Sequence, residues 1–202
     1  MGILALVLIF VWLTIVTVVR VALAGRHTDM APIQFRDPPG SPQWWSKVIS
    51  SLAVLAGLGA AIADIVGLPA FGPLEHPAVA SVGLGLVGIG IAVTVVCQVA
   101  MGASWRGDVD PDVRTTLVTT GPYRYVRNPI LTATFVTALG IALVVPNVLA
   151  LLFLTGVIVS EQIQVRLVEE PYLLRVHGDA WLRYAAVTGR FLPGIGRVRT
   201  AG

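Results

Sequence analysis

Two polar segments, each set against a long apolar run, hold the residue types that could do chemistry. The first is Gln98-Val-Ala-Met-Gly-Ala-Ser-Trp-Arg106 together with Thr119-Thr-Gly-Pro-Tyr-Arg-Tyr-Val-Arg-Asn-Pro129. Gly121-Pro122 marks a turn. Asn128 suits an N-cap, and Pro129 suits the first helical position, where a missing N–H costs nothing. A helix start of this kind offers unpaired backbone N–H groups and the positive end of the helix dipole, which attract a carboxylate or other anion. It is equally an ordinary helix start. The second segment is Glu161-Gln-Ile-Gln-Val-Arg-Leu-Val-Glu-Glu-Pro171. Adjacent carboxylates directly beyond an apolar span require cationic partners. Arg166 stands four residues before Glu170 and could supply one across a helical turn. Such a carboxylate could recognise a ribose diol, an amine or a sulfonium; the plain alternative is a solvated helix end.

The elements that must position these segments follow from composition. Of 202 residues, 55% are hydrophobic and only 12% are charged, against about 25% charged in a soluble domain. Mean hydropathy is +0.82. One cysteine, Cys97, excludes a disulfide scaffold and a multi-cysteine metal site. What remains is an all-α integral membrane protein. Four stretches lack Asp, Glu, Lys and Arg: 2–19 (18 residues), 48–63 (16), 77–105 (29) and 128–160 (33). A helix needs roughly 20 apolar residues to cross a ~30 Å hydrocarbon core. The fourth run is too long for one ordinary crossing and holds Pro146-Asn147 near its centre, so it reads as a tight hairpin of two short arms. The second extends toward Gly67 if Asp64 sits at an interface. The count is about five transmembrane helices, the last two a hairpin.

Charge distribution sets the orientation. All fourteen Lys and Arg residues fall in 20–47, 106–127 and 166–199, whereas 64–76 carries only Asp64 and Glu75. The positive-inside rule then puts the N-terminus outside and the C-terminus in the cytoplasm, provided that 128–160 folds back. Residues 171–193 read as a cytoplasmic amphipathic segment, restarted at Pro171, with Trp181 and Tyr184 at headgroup level. Ala22-Leu23-Ala24 resembles a signal-peptide cleavage site, but no basic residue precedes the apolar run, so a span is expected instead. A net charge of +3 concentrated on one face reflects topology and anionic lipid rather than nucleic acid. His27, His76 and His177 lie apart, and no metal site is expected.

In order and spacing, Gly121-Pro-Tyr-Arg-Tyr-Val-Arg-Asn-Pro129, an apolar hairpin, Glu169-Glu170 with Leu173, Gly178, Tyr184 and Arg190-Phe-Leu-Pro193 resemble the isoprenylcysteine carboxyl methyltransferase family, part of a wider group with the phospholipid N-methyltransferases. The resemblance spans about residues 95–195. It implies N-terminal transmembrane helices over 1–94 and a methyltransferase core over 95–202, with S-adenosylmethionine in a cytoplasm-facing pocket and a lipophilic acceptor entering from the bilayer. By the same resemblance Gly121, Tyr123, Tyr125, Arg127, Asn128, Pro129, Glu169 and Glu170 would contact the cofactor. Arg190 would lie near the methyl-accepting group. The family's usual Arg-His-Pro-x-Tyr is here Arg127-Asn128-Pro129-Ile130-Leu131, His177 replaces a usual Phe, and Trp181 a usual Tyr, so a prenylated-protein substrate is not implied. An acceptor that is already an anion needs no base; an amine or hydroxyl does, and Glu169, Glu170 and His177 are the candidates. The resemblance therefore implies a methyltransferase of the inner (plasma) membrane, multi-pass, its site toward the cytoplasm. The substrate expected is a small lipophilic or lipid-like molecule, with membrane lipid a further partner, no nucleic acid or metal, and the oligomeric state open. Two other readings are an NADPH-dependent membrane reductase and a non-catalytic assembly protein.

Overall fold

In the apolar runs, helix is the backbone's only way to satisfy its own N–H and C=O groups within lipid. The computed structural model describes residues 1–24, 37–101 and 117–198, with side chains from 1–18 in the first of these. Expectations that fall on Arg106, Arg114 and the rest of 102–116, on Arg26, Arg36 and Arg199, or on the side chain of Arg20 lie outside the described residues. The long helices are α1 (Gly2–Ala24), α2 (Pro42–Ile65), α3 (Pro77–Met101), α4 (Pro129–Val144) and α5 (Val148–Ile163). A π-helical turn, Gln164–Glu169, carries α5 into α6 (Glu170–His177), and α7 (Asp179–Val187) follows. Three stretches are long and apolar enough to cross a membrane, namely Pro42–Ile65, Pro77–Met101 and Val148–His177; Gly2–Val18 and Pro129–Val144 are shorter apolar helices.

Proline and cap residues set several helix boundaries. Pro42 opens α2 behind Ser41, whose hydroxyl accepts from the Trp44 N–H at 3.2 Å. Pro77 opens α3 and Pro129 opens α4. The chain reverses at Pro146-Asn147 as the sequence implies. There the Asn147 side chain accepts from the Ala150 N–H at 3.0 Å, capping α5, and donates through Nδ2 to the Ala60 carbonyl of α2 at 2.9 Å. One residue thus starts the second arm and anchors the hairpin tip to a neighbouring helix.

Between lipid-embedded helices there is little hydrophobic driving force, so close backbone approach matters more than bulk. The main pairings are α3 with α4 and α2 with α5. Gly83 and Gly140 face each other so closely that a Cβ on Gly140 would lie 2.6 Å from the Gly83 carbonyl oxygen. Gly57 accommodates the Phe153 ring, and Gly156 meets Ala53. Ile9, Trp12, Val87, Ala138, Ile141 and Val157 fill the centre, with Trp12 edge-on to Phe153 at 6.5 Å. Thr94 and Thr137 are buried and return their hydroxyls to carbonyls of their own helices, so they bring no unpaired group into the core. Leu52, Leu55, Ile62, Val82, Ile89, Val96, Leu151 and Leu152 point outward, as expected where the solvent is hydrocarbon.

Candidate functional site at the end of the hairpin

Gly121 begins the site because its φ of +58° is one a side-chain-bearing residue rarely adopts. The 3₁₀ turn that follows, Gly121–Arg124, turns Tyr123 inward to burial. Its phenol donates to the Cys97 carbonyl of α3 at 3.4 Å, while its own carbonyl accepts from the Tyr184 hydroxyl of α7 at 2.6 Å. Burial pushes both phenols up, Tyr184 to about 12 despite the opposing field of Arg127. Both are therefore neutral donors at working pH. Because the folded values exceed the unfolded ones, stability is full below pH ~10 and falls as pH rises above it. Tyr184→Phe should lower thermal stability in detergent by about 1 kcal/mol, the ordinary value of one such bond, and remove part of the alkaline loss. An unchanged melting curve at both pH 8 and pH 10.5 would show that the bond contributes nothing.

Beyond the turn the chain runs beside the C-terminal segment Gly189–Val198. Val126 bridges Gly189, the Arg127 N–H donates to the Gly189 carbonyl at 2.8 Å, and the Asn128 N–H donates to the Arg190 carbonyl at 3.0 Å. The Asn128 side chain does not cap α4; its Nδ2 donates to that same Arg190 carbonyl at 3.2 Å. This departs from the expected N-cap. The strap claims the amide, and the N–H groups of Ile130 and Leu131 are left without a side-chain cap. The Thr132 hydroxyl donates to the Phe191 carbonyl at 2.8 Å.

Arg127 is the hub. Its side chain is buried, and one terminal nitrogen donates to the carbonyls of Ala185 and Thr188 at the end of α7. The other donates to the Gly196 carbonyl at 3.0 Å and to Glu170 Oε1 at 2.8 Å. Arg190 grips the same carboxylate with two bonds, Nε to Oε1 at 2.7 Å and Nη2 to Oε2 at 2.8 Å. The Glu170 carboxylate further raises the pKa of Arg190. Glu170 is thus clasped by two guanidiniums from segments 43 and 20 residues away. The local partner expected from spacing, Arg166, is not used: it is exposed and donates to Gln162 Oε1 at 2.7 Å instead. Trp181 does not face outward as an interfacial tryptophan would. It is buried, 5.9 Å from ring centroid to the Arg127 guanidinium carbon, and Tyr184 is half-buried against Tyr123.

Glu169 has other company. In a π-helix residues five apart stack on one face, and Gln164 hydrogen-bonds Glu169 across that interval. Pro171 gives a reason for the π-turn: without an N–H it cannot complete an α-helical bond, and its ring crowds the carbonyl four residues back. Glu161 lies close enough to feel the Glu169 charge. Among the expected site residues, the structure brings together Tyr123, Arg127, Asn128, Pro129, Glu170 and Arg190. Tyr125 is 65% exposed. His177 makes no hydrogen bond to Glu169, Glu170 or Arg190, and its Nε2 is buried without a partner. Sequence reasoning missed Thr132, Gln164 and the carbonyls of Ala185, Thr188 and Gly196. Only Gln164 carried a signal, a five-residue spacing that means nothing until the π-turn is known. Among the described residues no group of three His, Cys, Asp or Glu could hold a metal ion.

The architecture is thus an all-helical bundle whose final hairpin gathers a polar loop, a π-turn and a C-terminal strap around one carboxylate. The chain belongs to the phospholipid methyltransferase family, whose model matches residues 78–180. Its fold is similar to that of a eukaryotic intramembrane Ras methyltransferase, isoprenylcysteine carboxyl methyltransferase, with a TM-score of 0.63 and 19% identity over 91% of this chain. The matched region is 62% of the length of that structure, and at this identity the likeness is one of fold. No curated protein sequence matches the chain. The multi-pass membrane architecture stands on the long apolar helices and on this likeness of fold, and neither match supports the reductase or assembly readings.

Proposed function

We propose that the protein transfers a methyl group from S-adenosylmethionine to a small lipophilic or lipid-like acceptor at the cytoplasmic leaflet of the plasma membrane. In this reading residues 95–202 carry the pocket and residues 1–94 supply the spans that support it. The observation that carries it is the Glu170 clasp, which fixes the 121–129 loop, the π-turn and the strap around one point.

The chain's groups fit this donor. The uncapped N–H groups at the start of α4 suit its carboxylate. Two buried donors without partners, Arg127 Nε and Trp181 Nε1, add to the supply of N–H. Glu169, outside the arginine clasp, suits its positive charge or a ribose diol. Bound S-adenosylmethionine supplies a methyl on a cationic sulfur, so that the acceptor's lone pair forms the new bond to carbon while sulfur keeps the electrons of the bond that breaks. The protein's task is alignment and exclusion of water, which provide most of the rate in such displacements. Tyr123, Asn128 and Pro129 shape the loop, and Gly121 permits it. Tyr125, turned outward, meets the donor only at the rim. Arg190, held by Glu170, faces the acceptor side. Where the acceptor is an amine or hydroxyl, Glu169 and His177 are the groups free to take the proton, because Glu170 is committed to two arginines.

Isothermal titration of S-adenosylhomocysteine into detergent-purified protein tests this. Wild type should bind, and Asn128→Ala and Glu169→Ala should weaken binding by about tenfold, the equivalent of roughly 1.4 kcal/mol. Absence of binding to a folded wild-type protein would remove the reading; equal binding by both variants would remove the residue assignment.

A further inference from the structure

The strap and its neighbours expose a cluster of large side chains, of which only Tyr125 reaches the rim of the site. Val187, Leu192, Ile195 and Tyr125 are 67%, 53%, 63% and 65% exposed. Their segments are tied by backbone bonds: Arg127 N–H to Gly189, Val198 N–H to Ala185 and Arg190 N–H to Ile195. Exposed arginines Arg124, Arg183 and Arg197 lie on the same three segments. None of them makes an ion pair with a described carboxylate. Asp179 is the one exposed acid on α6, α7 and the strap among the described residues.

Depth comes from the partner helix. With 16 residues α4 is about 24 Å long, shorter than the ~30 Å hydrocarbon core, so an α4 that crosses the bilayer would hold its first turns at or inside the hydrocarbon boundary. The strap packs beside those turns, with Phe191 5.2 Å from Phe135, six positions and about 9 Å along the axis from the start of α4. A water-facing strap would hold four large apolar side chains in solvent at that level. A leaflet would cover them and place the guanidiniums among headgroups.

We propose that the strap, with Tyr125 and the end of α7, is a membrane-docking hairpin that seats in the headgroup region of a leaflet rich in anionic glycerophospholipid. Its occupant is the lipid surface, selected by apolar exposure and by three arginines without described counter-charges. The proposal is independent of what is methylated.

The test uses the full chain with Cys97→Ser, reconstituted in phosphatidylcholine vesicles with and without phosphatidylglycerol. A spin label at Leu192→Cys, or separately at Ile195→Cys, reports collision with oxygen against a water-soluble nickel chelate. Oxygen should dominate at both positions, more strongly with phosphatidylglycerol, and Arg183→Glu with Arg197→Glu should erase that lipid dependence. Preferential collision with nickel in both lipids would overturn the proposal. So would low access to both reagents with spin–spin broadening, which would place a second copy on the face. Two label sites, each checked for helical content, keep a single misfolded variant from deciding the result.

Discussion

Arg127→Ala should unfold the polar end of the hairpin and abolish binding of S-adenosylhomocysteine. One side chain satisfies the carbonyls of Ala185, Thr188 and Gly196 and shares the Glu170 carboxylate. Alanine removes the side-chain donor from the Thr188 and Gly196 carbonyls, leaves the Ala185 carbonyl with the Val198 N–H alone, and leaves Glu170 with Arg190 alone. Removing one member of a buried ion-pair network costs about 3–5 kcal/mol, which is large against a folding free energy of about 5–15 kcal/mol. Arg127→Lys restores the charge but not the planar fork, since an ammonium on a flexible stem cannot reach carbonyls on both sides while it bonds Glu170. It should recover less than half of the loss. Thermal unfolding in detergent, followed by titration of the product analogue, separates the two effects. Glu170→Gln adds a second check. It keeps the shape but removes the charge that holds two guanidiniums together, so its loss and that of Arg127→Ala should be far from additive. Wild-type melting of Arg127→Ala would show that the network is ornamental.

The same network marks where sequence reading stops. The helix start at Pro129 and the reversal at Pro146-Asn147 were legible because each rests on local backbone chemistry. The partners of Glu170 were not. Helical spacing nominated Arg166, four residues away, yet that side chain faces outward and the carboxylate turns to arginines brought in by the loop and the strap. Asn128 failed as a cap for the same reason, since a carbonyl 62 residues on captured its amide. Trp181 and Tyr184 looked interfacial by type, whereas their hydrogen-bonding and π faces are taken by Tyr123 and Arg127. The π-turn has a local cause in Pro171, but a proline can equally kink or end a helix, and only packing decides. What the sequence carried across that distance was the resemblance, which named the Arg127 loop, Glu170 and Arg190 without saying that they touch.

Gly140→Ala should separate α3 from α4 and lose the monodisperse folded protein, although it adds a single methyl. That Cβ would lie 2.6 Å from the Gly83 carbonyl oxygen and 2.8 Å from the Val87 backbone nitrogen. Both are backbone atoms, so no rotamer change relieves the contact and a whole helix must move. Overpacking of this kind costs about 1–3 kcal/mol in ordinary cores. Here it also breaks the close approach on which association in lipid depends. The opposite sign is expected one face away. Gly85 and Gly88 sit on α3 with nothing within 4 Å of a Cβ, so Gly85→Ala should be neutral or stabilise the helix by up to about 1 kcal/mol. Four glycines along one helix look alike in sequence, yet Gly83 and Gly90, seven residues apart, turn to α4, and the other pair turns outward. Size-exclusion profiles and melting temperatures of the two variants, prepared side by side, test the register of the helix pair that carries the loop: equal behaviour would mean that α3 meets α4 through a different face.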